Sequence, residues 1–455
     1  MPFRPLNIAV IGAGPAGVFT ADILKRESVP TRVDLFERLP VPFGLVRYGV
    51  APDHPRIRAI IDSLHQVLDR GDIRLVAGVE IGTDVTLDQL RAAYDAVVLT
   101  TGANDDAPLP IPGIDMPGSF GASAFVSWYD AHPDAGDSWP LPAEQVAVIG
   151  AGNVALDITR MLAKHPRDLL HTDIPDHVLA SLEESRITDV HLFARRGPAE
   201  AAFSPMELRE LGETPDVDVI VDPDDMVLSR SSEALIASSR QRRTVASTLQ
   251  QWAERDPATL TASRRIHLHF MQQPARIDGD GRVESITVER TRHLVNGTVE
   301  GTGELRTYPV GQVYRAIGYA STPLPGVPFD AARRLVPNEQ GRVVHEDGSP
   351  LPGLYVSGWI KRGPVGLIGS TKSDSQETVA QLVADADQLT RADRAEEDPL
   401  PGLLDAAGLP HIDWGGWLRV DAHERALGAE RSRDRIKVFT RNRLASVALD
   451  QKAHV

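Results

Sequence analysis

At 455 residues, 42% hydrophobic and 24% charged, the chain is longer than one hydrophobic core usually serves, so two or three domains are expected. A formal charge of −15 excludes a general nucleic-acid binder, whose phosphate contacts need a positive surface, and any acidic partner needs a local basic patch. The absence of cysteine excludes thiolate nucleophiles, disulfide exchange and cysteine-ligated iron–sulfur clusters, so electron transfer would need a bound organic cofactor, and no metal site is expected. No apolar run is long enough to cross a bilayer, and the first strand-like run begins too near Met1 for a leader peptide, so a cytoplasmic protein is expected.

Residues 1–103 alternate strand and helix patterns, with strands predicted at 7–11, 32–37 and 95–100, the last apolar enough to be central in a parallel sheet. Gly12-Ala-Gly-Pro-Ala-Gly17 follows the first strand and opens a helix predicted over 16–25. Gly12 permits a tight turn, Gly14 lets backbone approach a pyrophosphate, and Gly17 packs helix against strand while free helix amides face the anion. Glu37 ends the next strand twenty residues later, where an acceptor for ribose hydroxyls belongs; its charge repels a 2′-phosphate, so FAD or NAD fits and NADP does not. The plainer reading is a structural turn with a solvated strand end.

A proline-rich stretch, 108–117, reads as a crossing between domains. A second strand at 145–149 leads into Gly150-Ala-Gly-Asn-Val-Ala155, and the strand predicted at 190–194 ends on Arg195 and Arg196 rather than an acid. Paired guanidinium groups suit a 2′-phosphate, which makes NADPH the expected ligand, although surface arginine pairs are common. Ser204-Pro-Met-Glu207 is a capping box with proline at the first helical position. Arg240, Arg242, Arg243, Arg264 and Arg265 bracket a helix predicted around 248–253; such runs solvate helices or steer acidic partners. A second Pro and Gly cluster at 322–328 reads as a return crossing, followed by a strand at 353–358 and a helical pattern from 373 to 389.

The predicted fold is therefore α/β, with two Rossmann-like dinucleotide-binding domains. The NADP-binding domain (108–321) is inserted into an FAD-binding domain made of 1–107 and 322–455, which includes a C-terminal extension.

Two longer motifs, Phe43-Gly-Leu-Val-Arg-Tyr-Gly-Val-Ala-Pro-Asp-His-Pro55 and Gly358-Trp-Ile-Lys-Arg-Gly-Pro364 continuing to Gly369, give the chain a close resemblance to the adrenodoxin reductase family, whose bacterial members are NADPH–ferredoxin reductases. The resemblance runs from Asn7 to about Lys437. It implies FAD contacts at Ala16, Glu37, Leu45, Val79, Trp359, Gly366, Leu367 and Ile368. It implies NADP contacts at Ala151, Gly152, Asn153, Val154, Arg195, Arg196, Glu207 and Gly366, and a catalytic pair, His54 and Glu210, near the nicotinamide. Each has a simpler reading: Glu207 as a helix cap, His54 as a structural loop histidine, Trp359 as core. Relatives commonly carry threonine, glycine and valine where this chain has Val365, Gly366 and Leu367, so a hydroxyl near the flavin is missing.

The resemblance implies hydride transfer from NADPH to FAD and single-electron transfer to a ferredoxin, an acidic iron–sulfur protein docking on the arginine clusters. Competing readings are a flavin-bearing electron-entry subunit of a fixed complex and a flavin monooxygenase, whose FxGxxxHxxxW signature is absent. Disulfide reductases are excluded for want of cysteine.

Overall fold

The computed structural model describes residues 4–226, 228–294, 298–366, 368–389 and 398–450. The chain divides into two compact units, one of Met1–Asp105, Asp130–Ala135 and Tyr319–Val455, the other of Asp106–Tyr129 and Gly136–Gly318.

The first unit is built on a seven-stranded sheet in the order Asn338–Glu339, Arg342–Val344, Pro350–Val356, Ala96–Leu99, Leu6–Ile11, Thr31–Glu37 and Arg74–Ala77. The last five strands are mutually parallel and the first two are antiparallel additions. Ala96–Leu99 is buried along its whole length, as its Ala-Val-Val-Leu sequence predicts for a central parallel strand. The chain leaves Leu6–Ile11 toward Thr31–Glu37 on one side and later returns through Ala96–Leu99 on the other. The carboxyl end of Leu6–Ile11 is therefore a topological switch point, the place where open α/β sheets bind ligands. Apolar clusters lie on both faces, and the tail beyond residue 400 contributes Ile412, Trp417, Val420 and Leu444 to one of them.

The second unit repeats the architecture with six parallel strands in the order Ser119–Gly121, Gln312–Arg315, Gln145–Ile149, Asp189–Phe193, Arg264–His269 and Val217–Val221. Its switch point falls at the carboxyl end of Gln145–Ile149. The sequence pattern gives no reading for the three-stranded antiparallel sheet of Gln272–Asp278, Ser285–His293 and Val299–Pro309, which buries Ile277, Ile286, Val288 and Tyr308 against Ala147, Phe193 and Val313. The 108–117 stretch, expected as a crossing, is packed: Ile111, Ile114 and Met116 lie on this cluster and Pro112 O accepts from Ile277 N at 2.9 Å.

Several predicted bounds move. The expected 16–25 helix is Pro15–Leu24, and the 373–389 helix is Ile368–Ala384. The helix expected around 248–253 is Arg240–Ala253, so Arg240, Arg242 and Arg243 form its first turn instead of flanking it, while Arg264 and Arg265 begin a strand. Ser239 starts that helix by accepting from Arg242 N, a cap that outweighs the unfavourable dipole of a basic first turn.

Candidate functional site

The Gly12–Gly17 loop has the stereochemistry its glycines suggest. Gly12 sits at φ +105°, and a Cβ on Gly17 would lie 1.8 Å from Gly12 O, so helix and strand approach at backbone distance. Gly14 is different: nothing lies within 4 Å of a Cβ built there, and as N-cap of Pro15–Leu24 it offers no side chain to its free amides. The cradle fits a dinucleotide pyrophosphate. Thr100 Oγ1, unmarked in the sequence, locks the turn by donating to Ile11 O (2.8 Å) and Gly12 O (2.9 Å).

Glu37 is buried at the end of Thr31–Glu37, where its carboxylate accepts from Ala13 N (2.9 Å) and Leu39 N (3.0 Å). Burial pushes its pKa up, against these bonds and Arg38. Each oxygen keeps further acceptor capacity, so Glu37 can shape the loop and still receive a hydroxyl. Val79 lies beside it, Val79 N donating to Glu37 O at 3.0 Å, but its side chain belongs to the apolar core.

Two distant segments close on this loop. Phe43 N donates to Ala13 O at 2.8 Å, and a Cβ on Gly44 would lie 3.3 Å from Gly14 Cα, which brings half-buried Leu45 to the loop. Phe43 holds φ +85°, unfavourable for an aromatic residue, and is fixed by edge-on contacts to Trp414 and Trp417. From the other segment, a Cβ on Gly358 would meet Ala16 Cβ at 2.7 Å, which sets Trp359 beside the loop, half-buried and stacked on Tyr319. Asp374 organises this turn by accepting from Gly358 N (2.5 Å) and pairing with buried Lys361 (3.0 Å). Neither Asp374 nor Lys361 carries a sequence signal as a ligand. Gly366 sits at φ +85° two residues ahead of the helix start at Ile368, and Leu367 lies outside the described residues.

The second loop matches the first in form. Gly150 has φ +148°, and a Cβ there would lie 2.2 Å from Ala316 O; Gly152 again has open space and caps Asn153–Ala163 without a side chain. Ala151 O accepts from Ala202 N (2.9 Å) and Asn153 Oδ1 from Ser204 N (3.1 Å), which ties this loop to the segment after Asp189–Phe193. Arg195 and Arg196 head that segment, exposed, and neither side chain has a partner among the described residues.

The predicted capping box is half formed. Ser204 Oγ accepts from Glu207 N, but Ser204 N is taken by Asn153, and the buried Glu207 carboxylate instead lies 3.5 Å from Arg160, itself paired to Asp157 at 2.8 Å. Glu210 stands one turn further on the same helix, Pro205–Gly212, half-buried. His54, in the first unit, is buried at the N-cap of Pro55–Arg58; Arg58 secures that turn through Ala51 O (3.2 Å), Val50 O and Asp130.

The basic cluster disperses. Arg242 donates to Ala199 O (2.6 Å), Arg243 to Ala237 O (2.5 Å) and Arg264 to Lys164 O (2.8 Å), and Arg265 grips Asp189 with two bonds. Of these five arginines, Arg240 alone makes no such bond among the described residues.

Two parallel-sheet units, each with an uncapped glycine loop at its switch point, define a two-dinucleotide α/β oxidoreductase. A family model described as pyridine nucleotide-disulphide oxidoreductase matches residues 6–197. The chain is 36% identical over 466 residues to the mitochondrial NADPH:adrenodoxin oxidoreductase of Arabidopsis thaliana, covering 98% of this chain and 96% of the relative. It is 38% identical over 462 residues to the NADPH-ferredoxin reductase FprA of Mycobacterium tuberculosis, covering 98% of this chain and all of the relative. The solved structure of that FprA in complex with NADPH superposes with a TM-score of 0.89 at 36% identity, covering 98% of this chain and 100% of the other. The chain belongs to the adrenodoxin reductase family of NADPH-ferredoxin reductases. Without cysteine it has no dithiol for the disulphide chemistry in the broader family's name.

Proposed function

We infer that this protein is an FAD-dependent ferredoxin–NADP+ reductase that takes reducing equivalents from NADPH and passes them to a ferredoxin-type partner. One contrast carries the reading: buried Glu37 closes the first dinucleotide loop, whereas Arg195 and Arg196, exposed and with no side-chain partner among the described residues, close the second. An acid there favours free ribose hydroxyls and a guanidinium pair favours a 2′-phosphate. Residues 1–107 and 322–455 are accordingly assigned to FAD and residues 108–321 to NADPH.

A bound flavin accepts a hydride and releases electrons singly, which reconciles a two-electron donor with a one-electron acceptor. The chain's own contribution is binding and orientation. Free amides at the starts of Pro15–Leu24 and Asn153–Ala163 receive pyrophosphates, and Glu37 with the Val79 backbone serves the ribose end of FAD. Ala16, Leu45, Trp359 and the Gly366–Ile368 segment line the flavin, while Ala151 to Val154, Arg195, Arg196 and Glu207 hold NADPH. His54 and Glu210 are proposed at the nicotinamide.

An acidic iron–sulfur partner is proposed to dock on the second unit's basic surface. Arg242 and Arg264 are half-buried and bonded internally and Arg265 is paired to Asp189, so the proposal rests on exposed Arg240 and on exposed Arg243, which keeps one bond to Ala237 O. Cytoplasmic residence is part of the reading and is checked by cell fractionation. The central test is a visible spectrum followed by anaerobic titration with NADPH and NADH, then turnover with a purified ferredoxin. A flavin spectrum bleached by NADPH at far lower concentration than NADH is expected; a colourless protein, or equal response to both, overturns the reading.

A further inference from the structure

The segment from Arg195 to Ser204 carries the arginine pair at one end and leads into Glu207 at the other. Its ends are tied down. Arg195 O accepts from Thr291 Oγ1 (2.8 Å) and Arg196 O from Met271 N (3.2 Å), while Ala202 N and Ser204 N donate to Ala151 and Asn153 of the glycine loop. Between them runs the short turn Pro198–Glu200, beside a cavity lined by Pro198, Ala199, Ala202, Phe203 and Arg242. Pro198 and Ala199 are buried all the same, and the turn packs against the helices Arg230–Ala237 and Arg240–Ala253. Two polar bonds add to that packing and fix the turn's backbone: Arg242 Nη1 donates to Ala199 O at 2.6 Å and Ser232 Oγ to Glu200 at 3.2 Å.

Arg242 occupies a position its own helix disfavours. It stands in the first turn of Arg240–Ala253 between two other arginines, with no acid there to offset the positive dipole end. Its half-buried side chain reaches away from that helix to the carbonyl at the middle of the turn.

We propose that Arg242 is a positioning residue for nucleotide choice: by holding Ala199 O it fixes the Arg195–Ser204 segment so that Arg195 and Arg196 converge on a 2′-phosphate. This rests on the reading of Arg195 and Arg196 as 2′-phosphate ligands. A guanidinium aligned by a fixed backbone binds phosphate through paired bonds, and a loose backbone forfeits that alignment without removing any charge from the ligand's surroundings.

The test is calorimetric binding of 2′,5′-ADP and 5′-AMP to the purified holoprotein. In Arg242→Gln, 2′,5′-ADP is expected to bind about tenfold more weakly, the equivalent of one charge-assisted hydrogen bond, with 5′-AMP unchanged. Arg242→Lys, which retains a donor, should fall between, and NADPH turnover should show a raised KM with kcat intact. Unchanged 2′,5′-ADP binding in Arg242→Gln overturns the proposal, as does equal weakening of both ligands, which would indicate a merely structural role. Slower ferredoxin reduction at low salt with normal 2′,5′-ADP binding would make Arg242 a docking residue and also overturn it. If Arg242→Gln does not fold, Arg242→Lys is read by the same criterion. The underlying reading fails separately, if the double variant Arg195→Gln, Arg196→Gln still prefers 2′,5′-ADP.

Discussion

Arg47 and Glu424, 377 residues apart in the chain, meet as a buried ion pair with Arg47 Nη2 2.5 Å from Glu424 Oε1 and both side chains at most 1% exposed. Glu424 also accepts from Val438 N (2.8 Å) and pairs with Arg435 (3.3 Å), while the Arg47 guanidinium lies over the Tyr48 and Trp417 rings. Close by, Lys437 Nζ donates to Arg47 O (2.8 Å) and to Asp130, which Arg58 also engages. The C-terminal segment thus clamps the 43–58 stretch that carries Leu45 and His54. Removing one member leaves its partner charged and buried, so Glu424→Gln should destabilise the first unit by about 3 kcal/mol or more. Arg47→Met with Glu424→Leu should cost less than the two single changes combined. Urea unfolding of Glu424→Gln, of Arg47→Met and Glu424→Leu singly, and of the double variant checks this; additive losses would show that the pair is not coupled.

Gly14 and Gly152 separate ligand approach from folding. Neither has a positive φ or a neighbour within 4 Å of its Cβ position, so alanine is sterically free at both. Gly14→Ala is expected to keep its unfolding midpoint as apoprotein yet release flavin on gel filtration. Gly152→Ala should retain flavin and lose at least about tenfold in NADP+ affinity, since a methyl group stands where backbone must meet pyrophosphate. Full retention of both ligands would remove the pyrophosphates from these loops.

A histidine stack makes the second unit acid-sensitive. His191 and His267 pair across adjacent strands with rings 4.5 Å apart, and His191 Nδ1 lies 3.0 Å from His269 Nε2. Burial, reinforced by the neighbouring histidines, pushes His191 down to about 4 and His269 to about 2, against 6.5 unfolded. Because the folded pKa values are depressed, the unfolded chain binds more protons: stability is fully present above pH 6.5 and is lost as pH falls from there toward 4. About 1–2 kcal/mol per histidine should go between pH 7 and 5. His269→Phe, stacking on Phe193, should flatten that slope in denaturation at stepped pH; an unchanged slope would mean the stack does not titrate on unfolding.

Reversing charge at Arg240 and Arg243 should slow ferredoxin reduction at low ionic strength, with the difference shrinking in salt, while ferricyanide reduction stays constant. Equal loss with both acceptors would place the defect in the flavin or nucleotide steps.

The two glycine loops, Glu37 and the Arg195–Arg196 pair were legible because strand, turn and helix start follow one another within about thirty residues, and φ demands and strand-end chemistry are local. The central parallel strands were equally legible, since burial on both faces writes a continuous apolar run. Local pattern could not show where a long side chain ends. Arg242 reads as part of a basic run until its bond to Ala199 is seen, and Ser204-Pro-Met-Glu207 reads as a closed capping box until Asn153 takes one of its donors. Nor could it show that Phe43 keeps a strained backbone because two tryptophans from the tail hold it, or that Arg47 finds its counter-charge 377 residues later. By itself, then, the sequence determined the α/β class, the two dinucleotide loops and the contrast between their acidic and basic ends, all set by short-range sterics and periodicity. Only the tertiary structure decided which arginines are free to meet a ligand and which are committed, because a buried or tethered charge is defined by partners that chain distance does not reveal.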